Sequence, residues 1–368
     1  SGGAKIGKEG DYYTGPCVHP LFGGMVAKQL SQMAEILAEG SFHVIEMGSG
    51  RGFLCQDILN WAKRRNPPFF QSLHYTLLET NPHFMREQKE RLRLYEEEGK
   101  IGWMDSETFE KGGVSVMGCI LSNELIDAFP VHQVIMDQGR LKEVYVTSCH
   151  DQLEEIWGEL SDPRLETYFE SLSVSLDEGQ RAEVNLKALD WMEGVAHRLA
   201  KGFVMTIDYG YPSEELYAPH RRHGTLLCYY RHQTSDNPYV RLGEQDITSH
   251  VNFSALMKKG EEVGLRCTGF VTQYRFLIAL GVLQELELLS GDLSEFESLK
   301  LRLSFLHLIE PEKGMGEVFK VLIQHKGIAP PQLDGLRELD AIPWPAPLSP
   351  PVPNSGQKRE GCDRERER

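Results

Sequence analysis

Acidic side chains stand where apolar, strand-like runs end along this chain: Glu46, Glu79, Asp105, Glu124 between Asn123 and Asp127, and Asp208. A carboxylate accepts hydrogen bonds through two oxygens and donates none, so it suits hydroxyl, ammonium and guanidinium partners. The first acid lies in "HVIEMGSGRGFLCQDIL", where Glu46, Gly48, Gly50 and Gly52 read Glu-x-Gly-x-Gly-x-Gly ahead of a helix-forming stretch. Glycines let backbone approach a ligand, and amides at a helix start can meet an anion. A phosphate loop of the Gly-x-x-x-x-Gly-Lys-Ser/Thr kind is excluded, because no lysine follows Gly52. A dinucleotide turn, Gly-x-Gly-x-x-Gly, fits poorly, because the third glycine arrives one residue early. Glu79, in "YTLLETNP", is placed to bridge two ribose hydroxyls, each charge-assisted bond contributing roughly 1.5–3 kcal/mol. That acid would serve any nucleoside, NAD included. "CILSNELIDAFPVHQ" sets Asn123, Glu124 and Asp127 where a strand meets an apolar core, a costly place unless a partner satisfies them.

The elements that must hold these groups alternate. Strand signals cover His43–Met47, His74–Glu79, Ile101–Met104 and Val116–Ser122, with helices over Phe53–Arg65 and Pro82–Glu98 between them. Strand–helix–strand at these lengths implies an α/β fold with parallel pairing through right-handed crossovers. "HQVIMDQGRLKEVYVTS" then alternates about Gln138-Gly139 as a hairpin and continues into Leu153–Trp157, followed by a helix over Pro163–Leu172. Leu186–Ala200 has helical spacing, with Gly202 as its stop, and "FVMTIDYGY" is a buried strand carrying Asp208. A helix over Ser254–Val263 ends at Gly264 and the strand "LRCTGFVTQ" follows. Phe276–Leu289 and Phe296–Ile309 form a helical pair, and "EVFKVLIQH" is the last strand. From Ile328 the composition turns proline-rich and then charged, which reads as a disordered tail over 328–368 or a proline-rich partner ligand.

The composition, 40% hydrophobic and 25% charged over 368 residues, is that of a globular chain able to bury a sizeable core. A net charge of −15 argues against a nucleic-acid partner and suits a basic protein segment better. No apolar run reaches the roughly 20 residues of a membrane helix, so no membrane insertion is expected. The seven cysteines are scattered singly, with no metal-ligand spacing, so no metal is expected and Cys55, Cys119 and Cys228 are core candidates.

Glu46–Gly52 resembles the first motif of class I S-adenosylmethionine-dependent methyltransferases. There the acid answers the ammonium of the methionine part, the glycines admit the ligand, Glu79 takes the ribose, and Asp105 with Met104 beside it meets the adenine, unless Asp105 is a helix-cap or turn aspartate. "NELIDAFPVHQ" is similar to the Asn-Glu-x-x-Asp-Ala-x-Pro-x-x-Gln stretch of the MidA family. "GDYYTGPCVHPLFG", "TIDYGY", "GTLLCYYRHQ", "GEQDITSHVNFSAL" and "MGEVFKVL" follow in that family's order, so the likeness spans residues 10 to 326. Cys17-Val18 departs from it where the family usually has an acid.

The resemblance implies a Rossmann-like sheet, mostly parallel with an antiparallel last strand. It places one methyltransferase domain over 1–327, with a hairpin and helical insert near 131–183 and a helical insert near 274–309. It implies S-adenosyl-L-methionine as cofactor and methyl transfer to a protein arginine, with a respiratory complex I subunit and its assembly as the family's setting. Location would be the mitochondrial matrix if eukaryotic and the cytoplasm if bacterial. Glu124 would clamp the guanidinium or brace the next helix. Asp208 would be a second carboxylate or a structural one, with Asn123 beside the transferred methyl and the cofactor. Tyr12, Tyr13 and Thr14 would fold over the cofactor, while Asp127 would anchor the turn at Phe129-Pro130. His250 would line the pocket or bond backbone. A small-molecule methyltransferase of the same fold and a cofactor-binding assembly chaperone remain as alternatives, and the apolar helical pair is a candidate homodimer interface.

Overall fold

The computed structural model describes residues 19–113, 115–150, 152–231, 233–291, 294–310 and 315–339. Thr14, its neighbouring tyrosines and the proline-rich and charged stretch beyond 339 lie outside them. Chain order begins with α1 (Pro20–Leu37), β1 (Phe42–Met47), α2 (Phe53–Arg65), α3 (Pro67–Ser72), β2 (Leu73–Leu78), α4 (Pro82–Glu97), β3 (Ile101–Met104), α5 (Ser106–Lys111) and β4 (Val116–Asn123). An inserted sheet follows, of β5 (His132–Asp137), β6 (Arg140–Cys149), β7 (Gln152–Gly158) and β8 (Arg181–Val184), with α6 (Arg164–Ser171) before β8. The chain returns through α7 (Leu186–Arg198) to β9 (Leu199–Tyr211) and α8 (Ser213–Leu216). Short strands β10 (Leu227–Tyr230), β11 (Gln233–Ser235) and β12 (Asp246–Thr248) form a small sheet, and β13 (Val251–Asn252) leads to α9 (Phe253–Glu262) and β14 (Arg266–Thr272). Then come α10 (Gln273–Ala279), α11 (Val282–Ser290), α12 (Glu295–Ile309) and β15 (Phe319–Lys326).

The main sheet runs β14-β15-β9-β4-β1-β2-β3. Its strands β1, β2, β3, β4 and β9 pair in parallel, while β15 lies antiparallel to both β9 and β14, the mixed sheet expected. The runs "HVIEM", "YTLL" and "CILS" are apolar nearly throughout because parallel strands are covered on both faces. Chain order reverses at β1, whose neighbours are β2 and β4, and a doubly wound sheet opens a crevice at the carboxyl ends of such strands. Among the described residues no helix is long and apolar enough to cross a membrane.

Three readings of the sequence need correction. Gly202 does not stop a helix, because α7 ends at Arg198 and Gly202 sits inside β9. A β-carbon there would meet the Gly118 carbonyl oxygen at 2.0 Å, so close strand approach, not capping, explains the glycine. The helix placed over Phe276–Leu289 is two, broken at Gly281 with φ 83°, and Lys28 Nζ donates to Leu280 O at the break (2.7 Å). Finally, the chain stays engaged past Ile328. Leu333 is buried, and the amides of Asp334 and Gly335 donate to Gln32 and Gln29 of α1, each at 2.9 Å.

Candidate active site

The turn after β1 is built on left-handed backbone, with φ of 69° at Gly48, 51° at Gly50 and 78° at Gly52. Only glycine adopts that region without cost. Space is short as well, since a β-carbon at Gly48 would meet Leu125 Cδ1 at 2.7 Å and one at Gly52 would meet Gln88 Cγ at 3.1 Å. The Gly48 amide donates to Leu78 O (2.9 Å) and that of Gly52 to Ser49 O (2.9 Å). The Gly50 amide donates to one oxygen of Glu79, and the amides of Thr80 and Asn81 to the other, all at 2.8 Å. Glu79 therefore ties the glycine turn to the end of β2 from a half-buried position. Gln88 of α4 supports the turn from below, donating to Ser49 Oγ (3.0 Å) and Gly50 O (2.6 Å), and Trp103 Nε1 fixes the amide by donating to it (2.9 Å).

Glu46 is buried and accepts from Tyr75 OH at 2.7 Å. Burial raises its carboxyl to about 8, against the pull of that hydrogen bond. An acid kept neutral in the free protein is poised to ionise when a cation arrives beside it. Asp105 is exposed and caps α5, accepting from the Thr108 amide (2.7 Å) and hydroxyl (2.9 Å), bonds that hold its carboxyl low. Asp105 does not line the cavity, although each of its capped oxygens, like those of Glu79, can accept a further bond. Ser106 and Phe109, later in the same helix, line the cavity instead. Met104 packs half-buried against the core that includes Met47, Leu78 and Phe109.

That cavity, about 530 Å³, lies over Met47, Gly48, Leu78 and Glu79, and is closed by Leu125 and Phe129 after β4 and by Trp191 of α7. Its volume suits a ligand of nucleoside size. The residues of α7 on its wall (Lys187, Asp190, Trp191, Arg198) are not distinguished by any local motif, and only the packing of α7 against the strand ends brings them in.

Beyond it, the end of β4 turns sharply. Asn123 Nδ2 donates to Glu124 Oε1 (3.2 Å), and Glu124 itself has φ 51°, held by its amide donating to Ile207 O (2.9 Å). A left-handed acid is sparsely populated and persists only where the surroundings fix it. Asp208 does the fixing. Its Oδ2 accepts from the amides of Ile126 (3.0 Å) and Asp127 (3.4 Å) and its Oδ1 from that of Tyr209 (2.9 Å). The side chain is 1% exposed, and burial, then Asp127, then Glu124 push its carboxyl well above the usual range. Of the two readings of Asp208, the structural one fits this geometry, since its oxygens face backbone amides and it braces the loop that carries Glu124.

Asp127 was assigned to the turn alone, yet it is buried, accepts from Tyr209 OH (2.6 Å) and keeps Oδ1 without a hydrogen bond among the described residues. Burial raises it to about 6, the Tyr209 bond opposing, and Asp246 adds a further push. Tyr209 and Asp246 were not anticipated, because the pairing of β9 with β4 and the fold-back of β12 are not visible in local pattern. His250 packs between Tyr209 and Tyr211, 5.4 Å from each ring, and its amide donates to Thr225 Oγ1 (3.1 Å). Burial holds its imidazole near 4, so it is neutral at pH 7.

A glycine turn bound to a ribose-type acid, a nucleoside-sized cavity at the switch point and this strand order define a class I S-adenosyl-L-methionine-dependent methyltransferase. The profile of a family described as S-adenosyl-L-methionine-dependent methyltransferases matches residues 25–271. The chain belongs to that family, the MidA family of these enzymes, and its cofactor is S-adenosyl-L-methionine. It is 26% identical to the protein named protein arginine methyltransferase NDUFAF7 homolog, mitochondrial, of Drosophila melanogaster, over 89% of this chain and 78% of that one. The Danio rerio protein named protein arginine methyltransferase NDUFAF7, mitochondrial, is also 26% identical, over 86% of this chain and 76% of that one. A crystal structure of a methyl transferase superfamily member from Burkholderia thailandensis, bound to S-adenosyl-homocysteine, superposes with a TM-score of 0.79 at 28% identity, covering 90% of this chain and 84% of that one.

Proposed function

We propose that this methyltransferase is a protein arginine N-methyltransferase, with Glu124 receiving the guanidinium. The observation that carries the reading is the acidic loop at the end of β4, where half-buried Glu124 stands beside buried Asp127 and Asp208, and both neighbours push the Asp208 carboxyl up. A guanidinium stays charged, its pKa lying above about 12. Carboxylates that cost the fold free energy in the apo state are satisfied by such a cation through paired N–H bonds. Bound S-adenosyl-L-methionine supplies the electrophilic sulfonium methyl. For the cofactor's part we assign Gly48, Gly50 and Gly52 as the turn under the methionine portion, Glu46 to its ammonium, Glu79 to the ribose, and Met104, Asn123 and Thr14 to the cavity rim. Asp208 holds the loop so that Glu124 aims one nitrogen, and alignment of this kind can supply on the order of 7–11 kcal/mol. Methylation releases one proton from that nitrogen, which the Glu124 carboxylate accepts.

The names of the relatives support a protein acceptor. The family likeness extends the proposal to a complex I type subunit, its assembly, and the mitochondrial matrix. Pairing of two copies through α11 and α12, where Leu288, Phe296 and Leu303 are exposed, belongs to the same proposal and is read by sedimentation velocity. To test the reaction, cells lacking the protein receive wild type or Glu124→Gln with labelled methyl donor, and hydrolysed protein is examined for N-methylarginine. Labelled methylarginine with wild type alone is expected. Label confined to small metabolites would refute the reading.

A further inference from the structure

The outer strand of the inserted sheet, β7, has β6 on one side, and among the described residues no strand covers its other side. Soluble proteins ordinarily blunt such edges with lysine, proline, a bulge or shortness. This strand is seven residues long, contains neither lysine nor proline, and pairs with β6 from Glu143↔Gly158 to Cys149↔Gln152 without a register shift. Alternation puts Leu153, Glu155 and Trp157 on one face and Glu154 and Ile156 on the other. Ile156 is 52% and Trp157 51% exposed, and Val146, opposite Glu155, is exposed beside them. The edge also connects to the acidic loop. Only Pro130 and Val131 separate Phe129 from β5, and Glu155, paired with Arg181, accepts from Tyr239 OH (2.8 Å). Tyr239 lies on the segment that runs through β12 to Ser249, whose amide donates to Asp127 O (3.0 Å).

We propose that the free edge of β7 is the docking site of the methyl-accepting protein, which adds an extended basic segment as a fifth strand. This rests on the arginine reading above. Main-chain bonds would give affinity, and the alternating apolar and acidic side chains selectivity. Charge chooses the occupant. Glu154 makes no ion pair among the described residues. A segment bearing arginine meets the same edge with opposite charge, on a chain whose net charge is −15.

The test uses the full chain and a fluorescent eight-residue peptide of alternating arginine and valine, read by polarisation. Two further peptides carry backbone N-methyl groups on alternate residues, one set for each edge of the peptide. Expected is binding of the unmodified peptide and of one N-methylated form, with the other at least tenfold weaker. Ile156→Ala with Trp157→Ala should weaken the unmodified peptide at least fivefold, while S-adenosylhomocysteine affinity by calorimetry stays within twofold. Absence of binding, equal binding of both N-methylated forms, or an unaffected double variant overturns the proposal. So does a dimer that the double variant dissociates and the peptide leaves intact. Peptide that binds this way without acquiring methyl groups would keep the docking edge and remove the arginine reading. Methyl incorporation indifferent to N-methylation of either edge would do the reverse.

Discussion

Glu46→Gln is expected to stabilise the free protein at pH 8 and do little at pH 5. The native carboxyl holds its proton up to about 8, whereas an exposed chain releases it above 4.5. Between those values the folded state binds more protons than the unfolded one, so this group's contribution falls as pH rises through the window. At about 1.4 kcal/mol per pKa unit, the cost accumulated from pH 5 to pH 8 is up to roughly 3–4 kcal/mol. Local relaxation takes part of it, and about 2 kcal/mol is expected to survive. Glutamine keeps an oxygen for the Tyr75 hydroxyl, which now donates to Glu46 at 2.7 Å, so the substitution removes the titration and little else. Asp57 and Asp127, raised by burial to about 7 and about 6, titrate in the same sense. The informative quantity is therefore the difference between variant and wild type, from urea unfolding at both pH values without ligand. A gain no larger at pH 8 than at pH 5 would refute the reasoning. On the proposed assignment of Glu46 to the ligand's ammonium, the same variant should bind S-adenosylhomocysteine at least tenfold more weakly, because an amide cannot answer that cation as a carboxylate does.

Other outcomes follow from the same geometry. Glu79→Ala removes the acceptor of three backbone amides and, on the proposed assignment, of the ribose hydroxyls, so calorimetry should show at least a tenfold loss of S-adenosylhomocysteine affinity, about 1.4 kcal/mol or more. Gly48→Ala meets both a left-handed φ and Leu125 at 2.7 Å, so a loss of about 1–3 kcal/mol in denaturant unfolding is expected, together with weaker ligand uptake. Asp208→Asn leaves the amides of Ile126, Asp127 and Tyr209 competing for one oxygen. Methyl transfer should fall by at least tenfold while calorimetric cofactor affinity stays within about threefold.

Local pattern carried the sheet's first half well, because parallel strands are uniformly apolar and their ends are marked by Glu46, Glu79 and Asn123. What it could not carry was register. Tyr75 shares a face with Glu46 only because Leu77 stands opposite Glu46 across β1 and β2. Asp208 reaches the β4 loop only because β9 pairs with β4 and sets Ile207 beside Asn123. Helix α1 was missed because its first turn begins at Pro20, inside the stretch matched as a family motif, and β10–β12 because three- and four-residue strands hold too few positions to show a period. Asp105 carries two readings in sequence for another reason, since an aspartate before Ser-x-Thr serves a helix cap as readily as a ligand, and the cap is the one observed.

The attachment of residues 333–336 bears on how this protein is handled. A boundary drawn by composition at Ile328 would discard Gly335, which nestles against Phe276 in a space where a β-carbon would come within 2.5 Å of the ring. It would also leave Gln29 and Gln32, on the first helix, without the two amides they accept. Shortened versions should therefore end after Arg337, whose guanidinium reaches Ala279 O at 3.4 Å; cutting sooner invites an uncovered aromatic and aggregation on purification.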